Sequence, residues 1–272
     1  MLEQVLGVVF PRRCAGCGRG SWPFCDGCRG RVEPLRPPWC RRCGSPSAGD
    51  RSTCRDCPPP PIAAARAAFR FRGPVRSAVH RLKFSGWRPV AEALGEAMAR
   101  AWTEAGPEAV APLEVVTWVP LSRRRAAERG FDQARALALV VGRRLGLPVV
   151  PLLAREGDDR STQARRDRAG RLAAMQGRFR ARTPPPGGVL LVDDVLTTGA
   201  TASACAAALE RGGAQHVCLL TAARALTPRP RAASTPREGA PIYSPMGSRP
   251  GLWLPGESLP GSRCQPRAKR PT

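Results

Sequence analysis

The sequence has few aromatic residues, few histidines and no long apolar run. Aromatic residues make up 5% of the 272 residues, so a row of side chains that stack on nucleic-acid bases is not expected. The two histidines, His80 and His216, are isolated, and we interpret both as structural or surface residues. No run approaches the roughly 18 apolar residues that a membrane span needs. The segment Met1–Phe10 is short, has no basic leader and carries Glu3, which is not typical of a signal peptide. We therefore expect a cytoplasmic protein.

Negative charge is also scarce. The chain has 44 basic and 21 acidic residues, a formal net charge of +23, and its only lysines are Lys83 and Lys269. Such a surface attracts polyanions. The basic residues are spread along the chain rather than gathered in one block, so a nucleic-acid-binding surface and a generally basic surface are both compatible with the sequence.

Cysteine, in contrast, is abundant at the start of the chain, where residues 1–57 hold eight of the eleven cysteines. They form four Cys-x-x-Cys pairs: Cys14 with Cys17, Cys25 with Cys28, Cys40 with Cys43, and Cys54 with Cys57. In a cytoplasmic chain such pairs favour metal over disulfides, and two pairs complete a closed tetrahedral site. We predict two structural Zn²⁺ ions. Sequential pairing is favoured and interleaved pairing stays open, and a reduced redox motif is the competing interpretation.

Changes in composition divide the chain into three parts. A Cys-rich module is predicted for residues 1–60, ending in a run of four prolines that forms a stiff spacer. Residues 61–225 are rich in Ala, Leu and Val and form the main domain. The Pro-, Ser-, Gly- and Arg-rich tail, 226–272, has little periodicity, and we predict that it is disordered.

Helical and strand patterns alternate within the main domain. Helical spacing is present in 75–82, 90–102, 135–145 and 201–211, and short apolar runs at 115–119, 149–153, 189–192 and 217–221 predict strands. Strands separated by helices imply parallel pairing. The predicted fold class is therefore α/β, a parallel sheet with flanking helices preceded by a small Cys-rich module.

The most informative stretch follows the apolar strand at 189–192. Asp193 and Asp194 stand at the carboxyl end of that strand, where ligands bind in open α/β sheets. A small, hydroxyl-rich loop then opens into a helix, whose free N–H groups favour a phosphate. The loop residues are Thr197, Thr198, Gly199, Ala200 and Thr201. The two carboxylates suit the hydroxyls of a sugar, and the loop beside them suits a phosphate. Together they are expected to bind a phosphorylated ribose. An ordinary strand–turn–helix is the competing interpretation.

This stretch resembles the phosphoribosyl-pyrophosphate signature of type I phosphoribosyltransferases. The resemblance implies that Asp193 and Asp194 hold the ribose hydroxyls, that the loop 197–201 cradles the 5′-phosphate, and that Mg²⁺ accompanies the pyrophosphate. Three further segments resemble the ComF family of competence-associated proteins, whose double zinc ribbon precedes such a domain. They are the Arg-Gly-Phe-Asp-Gln run that ends at Gln133, the segment with Thr162-Gln163, Arg168 and Arg171 before Gly177-Arg-Phe179, and Lys83-Phe-Ser-Gly86.

Two classes of function are compatible with these features. An enzyme would transfer the phosphoribosyl group, with Arg123, Arg124, Arg168 and Arg171 binding the departing pyrophosphate; purine or pyrimidine salvage is one variant of this reading. A binding module with a relic phosphoribosyl site would instead contact nucleic acid or a partner protein. The ComF resemblance implies a role in uptake of single-stranded DNA, with that DNA and the competence machinery as partners. The acceptor cannot be read from the sequence.

Overall fold

The computed structural model describes residues 13–47, 52–84, 87–105, 112–156 and 177–226. Six strands and six helices are formed within these ranges. The helices are α1 (Asp26–Arg29), α2 (Gly73–Phe84), α3 (Pro89–Ala105), α4 (Arg123–Arg129), α5 (Gln133–Leu145) and α6 (Ala200–Arg211). The strands are β1 (Ile62–Arg70), β2 (Val115–Trp118), β3 (Leu153–Arg155), β4 (Phe179–Ala181), β5 (Gly188–Leu196) and β6 (His216–Arg224).

Four strands form a parallel sheet in the order β1-β6-β5-β2. The central strands β5 and β6 are apolar along most of their length, as expected for strands that are covered on both faces. β3 and β4 form a separate antiparallel pair. The predicted α/β class, a parallel sheet with flanking helices behind a Cys-rich module, is confirmed.

The sheet separates two hydrophobic cores. Alternate residues of a strand point to opposite faces, and β5 follows this rule: Leu190 and Val192 belong to one core, whereas Val189 and Leu191 belong to the other. We call the side covered by α2, α3 and α5 the first face, and the side covered by α6 and the β3–β4 pair the second face. The functional side chains divide between these two faces.

The Cys-rich module packs against both cores and along the edge of the sheet. Its segment 33–35 lies beside β1, where the Leu35 N–H donates to the Ala68 carbonyl at 3.0 Å and the Arg70 N–H donates to the Glu33 carbonyl at 2.8 Å. The sheet edge at β1 is therefore covered rather than open to another chain.

The predicted elements agree with the structure in most places, and two differences have clear causes. The predicted strand 149–153 is split into a single bridge between Val149 and Val116 and the later strand β3. Pro148 and Pro151 explain the split, because proline lacks the N–H that a continuous ladder needs. β1 was not predicted, since its Ala-rich sequence has weak strand propensity. Apart from Leu226, the predicted tail lies outside the described residues.

Candidate functional site

The eight N-terminal cysteines form two clusters, each made of the sequential pairs. The first cluster is Cys14, Cys17, Cys25 and Cys28, and the second is Cys40, Cys43, Cys54 and Cys57. Within each cluster the four sulfurs lie within 4.8 Å of one another. A tetrahedral site with Zn–S distances of about 2.3 Å places neighbouring sulfurs about 3.8 Å apart.

The observed sulfur separations fit that geometry. They are 3.8 Å between Cys17 and Cys25, 3.6 Å between Cys40 and Cys57, and 3.5 Å between Cys43 and Cys54. Burial raises the pKa of the Cys28 thiol to about 11. Two Cys₄ sites of this shape are consistent with structural zinc.

The loop after β5 turns sharply into α6. Gly199 has φ +78°, a left-handed conformation that glycine adopts without strain, and it is the N-cap of α6. The hydroxyl of Thr198 accepts a hydrogen bond from the Ala200 N–H at 3.4 Å. A small cavity of about 50 Å³ is lined by Asp193, the loop 197–202 and Thr221. The first N–H groups of a helix lack intrahelical acceptors, which makes this corner a suitable place for a phosphate.

The structure extends the predicted strand to Leu196, so the two aspartates lie within the C-terminal half of β5, and they face opposite sides of the sheet. Asp193 lines the cavity at the loop, on the second face. Asp194 is 4% exposed and contacts side chains of α2 and α5, on the first face. The resemblance implies the same role for both residues, but their surroundings differ.

Asp194 is held by a cation and an amide. The Lys83 Nζ lies 2.7 Å from Asp194 Oδ1, and the Gln133 Nε2 donates to Asp194 Oδ2 at 3.0 Å. Gln133 is itself oriented by Arg129, which donates to its Oε1 at 3.1 Å. The carboxylate of Asp194 is therefore charge-compensated and fixed in orientation before any ligand arrives.

Asp193 has no comparable cation at hydrogen-bonding distance among the described residues. Its Oδ1 accepts the Asp194 N–H at 2.8 Å. Burial, and then the neighbouring Asp194 carboxylate, raise the pKa of Asp193 to about 8. A half-buried carboxyl group without a partner cation, with a raised pKa and beside a cavity, is typical of ligand-binding sites.

The second cysteine cluster is connected to the loop by the proline run. A Cβ added at Gly199 would lie 2.8 Å from the Cβ of Pro58, so the loop and this linker are in close contact. The Ser203 hydroxyl of α6 donates to the Pro60 carbonyl. At the end of β6 the buried Arg224 donates to the carbonyl of Cys43 at 2.9 Å and to that of Asp56. The loop therefore lies against the metal-binding module.

The predicted pyrophosphate-binding arginines are not all brought to this site. Arg123 and Arg124 lie in the first turn of α4, and Arg124 pairs with Glu128 at 3.3 Å. Neither of them lines the cavity at the loop. Arg168 and Arg171 lie outside the described residues. The role of these four arginines stays a prediction.

Three residues of the site have roles that the sequence did not assign. Lys83 and Gln133 stood out only through the family resemblance, which gave neither of them a partner. Thr221 is fully buried, is the β6 neighbour of Asp193 and lines the cavity. The available signal was a polar residue in an otherwise apolar element, which by itself does not identify the partner.

Comparison with known proteins gives one match to a family and several to solved structures. Residues 5–58 match the family model described as Double zinc ribbon domain. None of the curated proteins compared with the chain matches it.

Two of the similar solved structures are enzymes. One is glutamine phosphoribosylpyrophosphate amidotransferase from B. subtilis complexed with ADP and GMP, with 22% identity, a TM-score of 0.33, and coverage of 48% of this chain and 26% of that chain. The other is the allosteric regulatory enzyme of purine biosynthesis, with 20% identity, a TM-score of 0.31, and coverage of 48% and 25%. The chain thus spans about a quarter of the length of these relatives, and similarity at this level assigns it no activity.

Proposed function

We propose that this protein binds phosphoribosyl pyrophosphate at the loop 197–201, with Asp193 and Asp194 at the ribose. The observation that carries the proposal is the cavity in which Asp193 and the N-terminus of α6 meet. A phosphorylated ribose has an anionic end for the helix terminus and vicinal hydroxyls for a carboxylate. Mg²⁺ would accompany the pyrophosphate and keep several of its own waters.

Phosphoribosyl transfer is the reaction that we propose for this site. Transfer breaks the bond between C1 of the ribose and pyrophosphate, so negative charge grows on the leaving group. Basic groups that are fixed before the reaction stabilise such charge. Lys83 and Arg129 are the basic residues that the described structure connects to Asp194, directly and through Gln133.

The cellular role that we propose is that of a ComF-like protein in the cytoplasm, acting with the competence machinery on incoming single-stranded DNA. The double zinc ribbon match at residues 5–58 and the net charge of +23 support this proposal. Within the described residues, no helix combines the length and apolarity needed to span a membrane.

The proposal can be tested by titration calorimetry with phosphoribosyl pyrophosphate and ribose 5-phosphate, in the presence of Mg²⁺. Wild-type protein is expected to bind both. Thr197→Val removes an exposed hydroxyl from the loop and is expected to weaken both ligands by about tenfold, the value of one charge-assisted hydrogen bond. Thr103→Val is the matched control, because Thr103 lies in α3 and its hydroxyl donates to the Ala99 carbonyl of the same helix.

Absence of binding of both phosphorylated ligands to the wild-type protein would contradict the proposal. If that protein still bound single-stranded DNA with the strong salt dependence of phosphate contacts, the binding module with a relic site would be the better description. Release of pyrophosphate on adding a nucleobase would separate an enzyme from a binding protein.

A further inference from the structure

A second and larger cleft lies beside Asp194, on the first face of the sheet. Its volume is about 550 Å³, within the range of small-molecule sites. One wall is formed by Arg76, His80 and Phe84, which stand four residues apart and share one side of α2. The opposite side of α2 is buried in the core, so these three residues form its outward surface.

The other wall of the cleft is the short helix α4. It contributes Arg125, Glu128 and Arg129. No residue of α4 is buried. The helix is instead stabilised at its ends, by the hydroxyl of Ser122 and by the left-handed Gly130. The contacts of Arg129 with Gln133 and with the ring of Phe84, 5.1 Å from the Arg129 Cζ, connect α4 to the rest of the domain.

The charge of the cleft is unbalanced. Four of its lining residues are cationic, namely Arg76, Lys83, Arg125 and Arg129, whereas Glu128 is its only carboxylate. Lys83 also pairs with Asp194, and Arg129 donates to Gln133. These contacts reduce the positive potential that the two residues contribute to the cleft. The guanidinium of Arg76 makes no hydrogen bond or ion pair with the described residues. The cleft therefore favours an anion, and guanidinium groups suit a planar carboxylate.

Three aromatic rings line the cleft, those of Phe71, His80 and Phe84, and among them Phe84 is the one exposed phenyl ring. Phe84 is 63% exposed, and the ring of His80 lies 4.5 Å from it. Among the aromatic residues of the described ranges, Phe84 is the one that is mostly exposed. A strand of nucleic acid is usually held by successive stacking residues, whereas a single exposed ring suits a single planar ligand.

We propose that this cleft binds a small planar anion, an aromatic ring that carries a carboxylate. The ring packs against Phe84 and the carboxylate is held by the arginines of both walls. Lys83 lines the cleft and lies 2.7 Å from Asp194, so this ligand lies next to the ribose carboxylates.

This step rests on the proposed function: the planar anion is the acceptor of the phosphoribosyl group. A lone pair on a ring nitrogen forms the new bond to C1 of the ribose. The bond from C1 to pyrophosphate breaks, and pyrophosphate leaves with that electron pair. The acceptor was not predictable from the sequence, and the cleft indicates its chemical class.

The test uses pairs of ligands that differ in charge and little in shape. Nicotinate and nicotinamide form one pair, and orotate and uracil form the other. Saturation-transfer NMR and calorimetry on the full chain are expected to give saturable binding of at least one carboxylate and much weaker binding of its neutral partner. Phe84→Ala is expected to weaken binding of the carboxylate ligand by about tenfold, because the stacking contact is lost. Arg76→Gln is expected to remove most of the preference for the charged ligand.

Leu139→Ala is the matched control, because Leu139 is an exposed apolar residue of α5, 48% exposed, and does not line the cleft. Thermal melting verifies that every variant is folded. Equal binding of charged and neutral partners, or no effect of Phe84→Ala and Arg76→Gln, overturns the inference. If wild-type protein binds phosphoribosyl pyrophosphate and none of the carboxylates, the inference fails and the proposed function stands. A protein that binds a carboxylate but does not bind phosphoribosyl pyrophosphate would support the assignment of the cleft as an anion site and contradict the acceptor role.

Discussion

The two faces of the central sheet carry the same kinds of parts in different surroundings. Each face has a Cys₄ cluster packed into its core and one of the two adjacent aspartates. On the first face, the cluster of Cys14 packs beside α2, and Asp194 is held by Lys83 and Gln133. On the second face, the proline run after the cluster of Cys43 contacts the loop 197–201, and Asp193 has no such cation at hydrogen-bonding distance among the described residues.

This difference indicates a division of roles. On the first face the charge of Asp194 is compensated by Lys83, and Gln133 fixes the orientation of the carboxylate. On the second face the Asp193 carboxyl group, next to the loop, has no cation at hydrogen-bonding distance among the described residues, and its pKa is raised to about 8. The metal site on that face supports the loop through Pro58 and Arg224.

The largest expected effect concerns the two metal sites. Cys43→Ser and Cys17→Ser each remove one ligand, and each variant is expected to retain about one zinc per chain where the wild type has about two. Cys43 is buried in the core of the second face, whereas Cys17 is partly exposed. We expect Cys43→Ser to cause the larger fall in melting temperature and the larger loss of ribose 5-phosphate affinity.

Elemental analysis, thermal melting and calorimetry on the same samples test this expectation. Equal losses of ligand affinity in the two variants would contradict the link between the second cluster and the loop. A wild-type protein that is fully folded without zinc would contradict the metal sites themselves.

The next effect concerns two arginines that stand opposite each other on neighbouring strands. Arg70 of β1 and Arg224 of β6 are register partners. Arg224 is 1% exposed and donates to two backbone carbonyls of the second cluster, whereas the Arg70 side chain is 39% exposed and pairs with Glu33. Arg224→Met is expected to lower the free energy of unfolding by about 2–3 kcal/mol, because it leaves buried carbonyls without their charged donor.

Arg70→Met is the matched control and is expected to cost less than about 1 kcal/mol, as is usual for exposed ion pairs. Urea unfolding of both variants measures the difference. Similar costs for the two substitutions would show that the contact of Arg224 with the second cluster contributes little.

The smallest effect separates the two aspartates by the sign of the stability change. Asp194→Asn removes the partner of Lys83 and is expected to destabilise the protein by about 1–2 kcal/mol at pH 7. Asp193→Asn removes a half-buried carboxyl group that has no partner cation at hydrogen-bonding distance, and is expected to stabilise the protein increasingly as the pH rises towards 8. Thermal melting between pH 5 and pH 8.5 distinguishes them.

The raised pKa of Asp193 predicts a pH dependence of the stability of the protein. In the unfolded chain an aspartate releases its proton near pH 4, whereas in the folded chain the pKa of Asp193 is about 8. Between these values the folded state binds more protons, so stability falls as pH rises. The stability contributed by the protonated Asp193 side chain is complete below about pH 4 and is lost as the pH rises from about 4 to about 8. Asp193→Asn is expected to lack this decline, and an unchanged decline would show that another group causes it.

Much of the site was predictable because its signals are local. The four Cys-x-x-Cys pairs predict two Cys₄ sites, and the aspartates followed by a hydroxyl-rich loop predict a binding corner at a strand end. The contact of Lys83 with Asp194 was not predictable, nor was that of Gln133, which is 61 residues from Asp194 in sequence. Local patterns indicate which residues are unusual, but they do not identify partners that only the packing of helices brings together.

The sequence by itself determined the fold class, the four Cys-x-x-Cys pairs that supply metal ligands and the position of the loop. These features depend on spacing over a few residues, where backbone geometry leaves few alternatives. The tertiary structure alone decided that the cysteine pairs combine sequentially, that Asp193 and Asp194 face opposite sides of the sheet, and that the proline run after the second cluster contacts the loop. It also decided that α2 and α4 enclose a cleft. Those outcomes depend on how the sheet alternates its side chains and on which elements cover each face, and both are settled only when the cores pack.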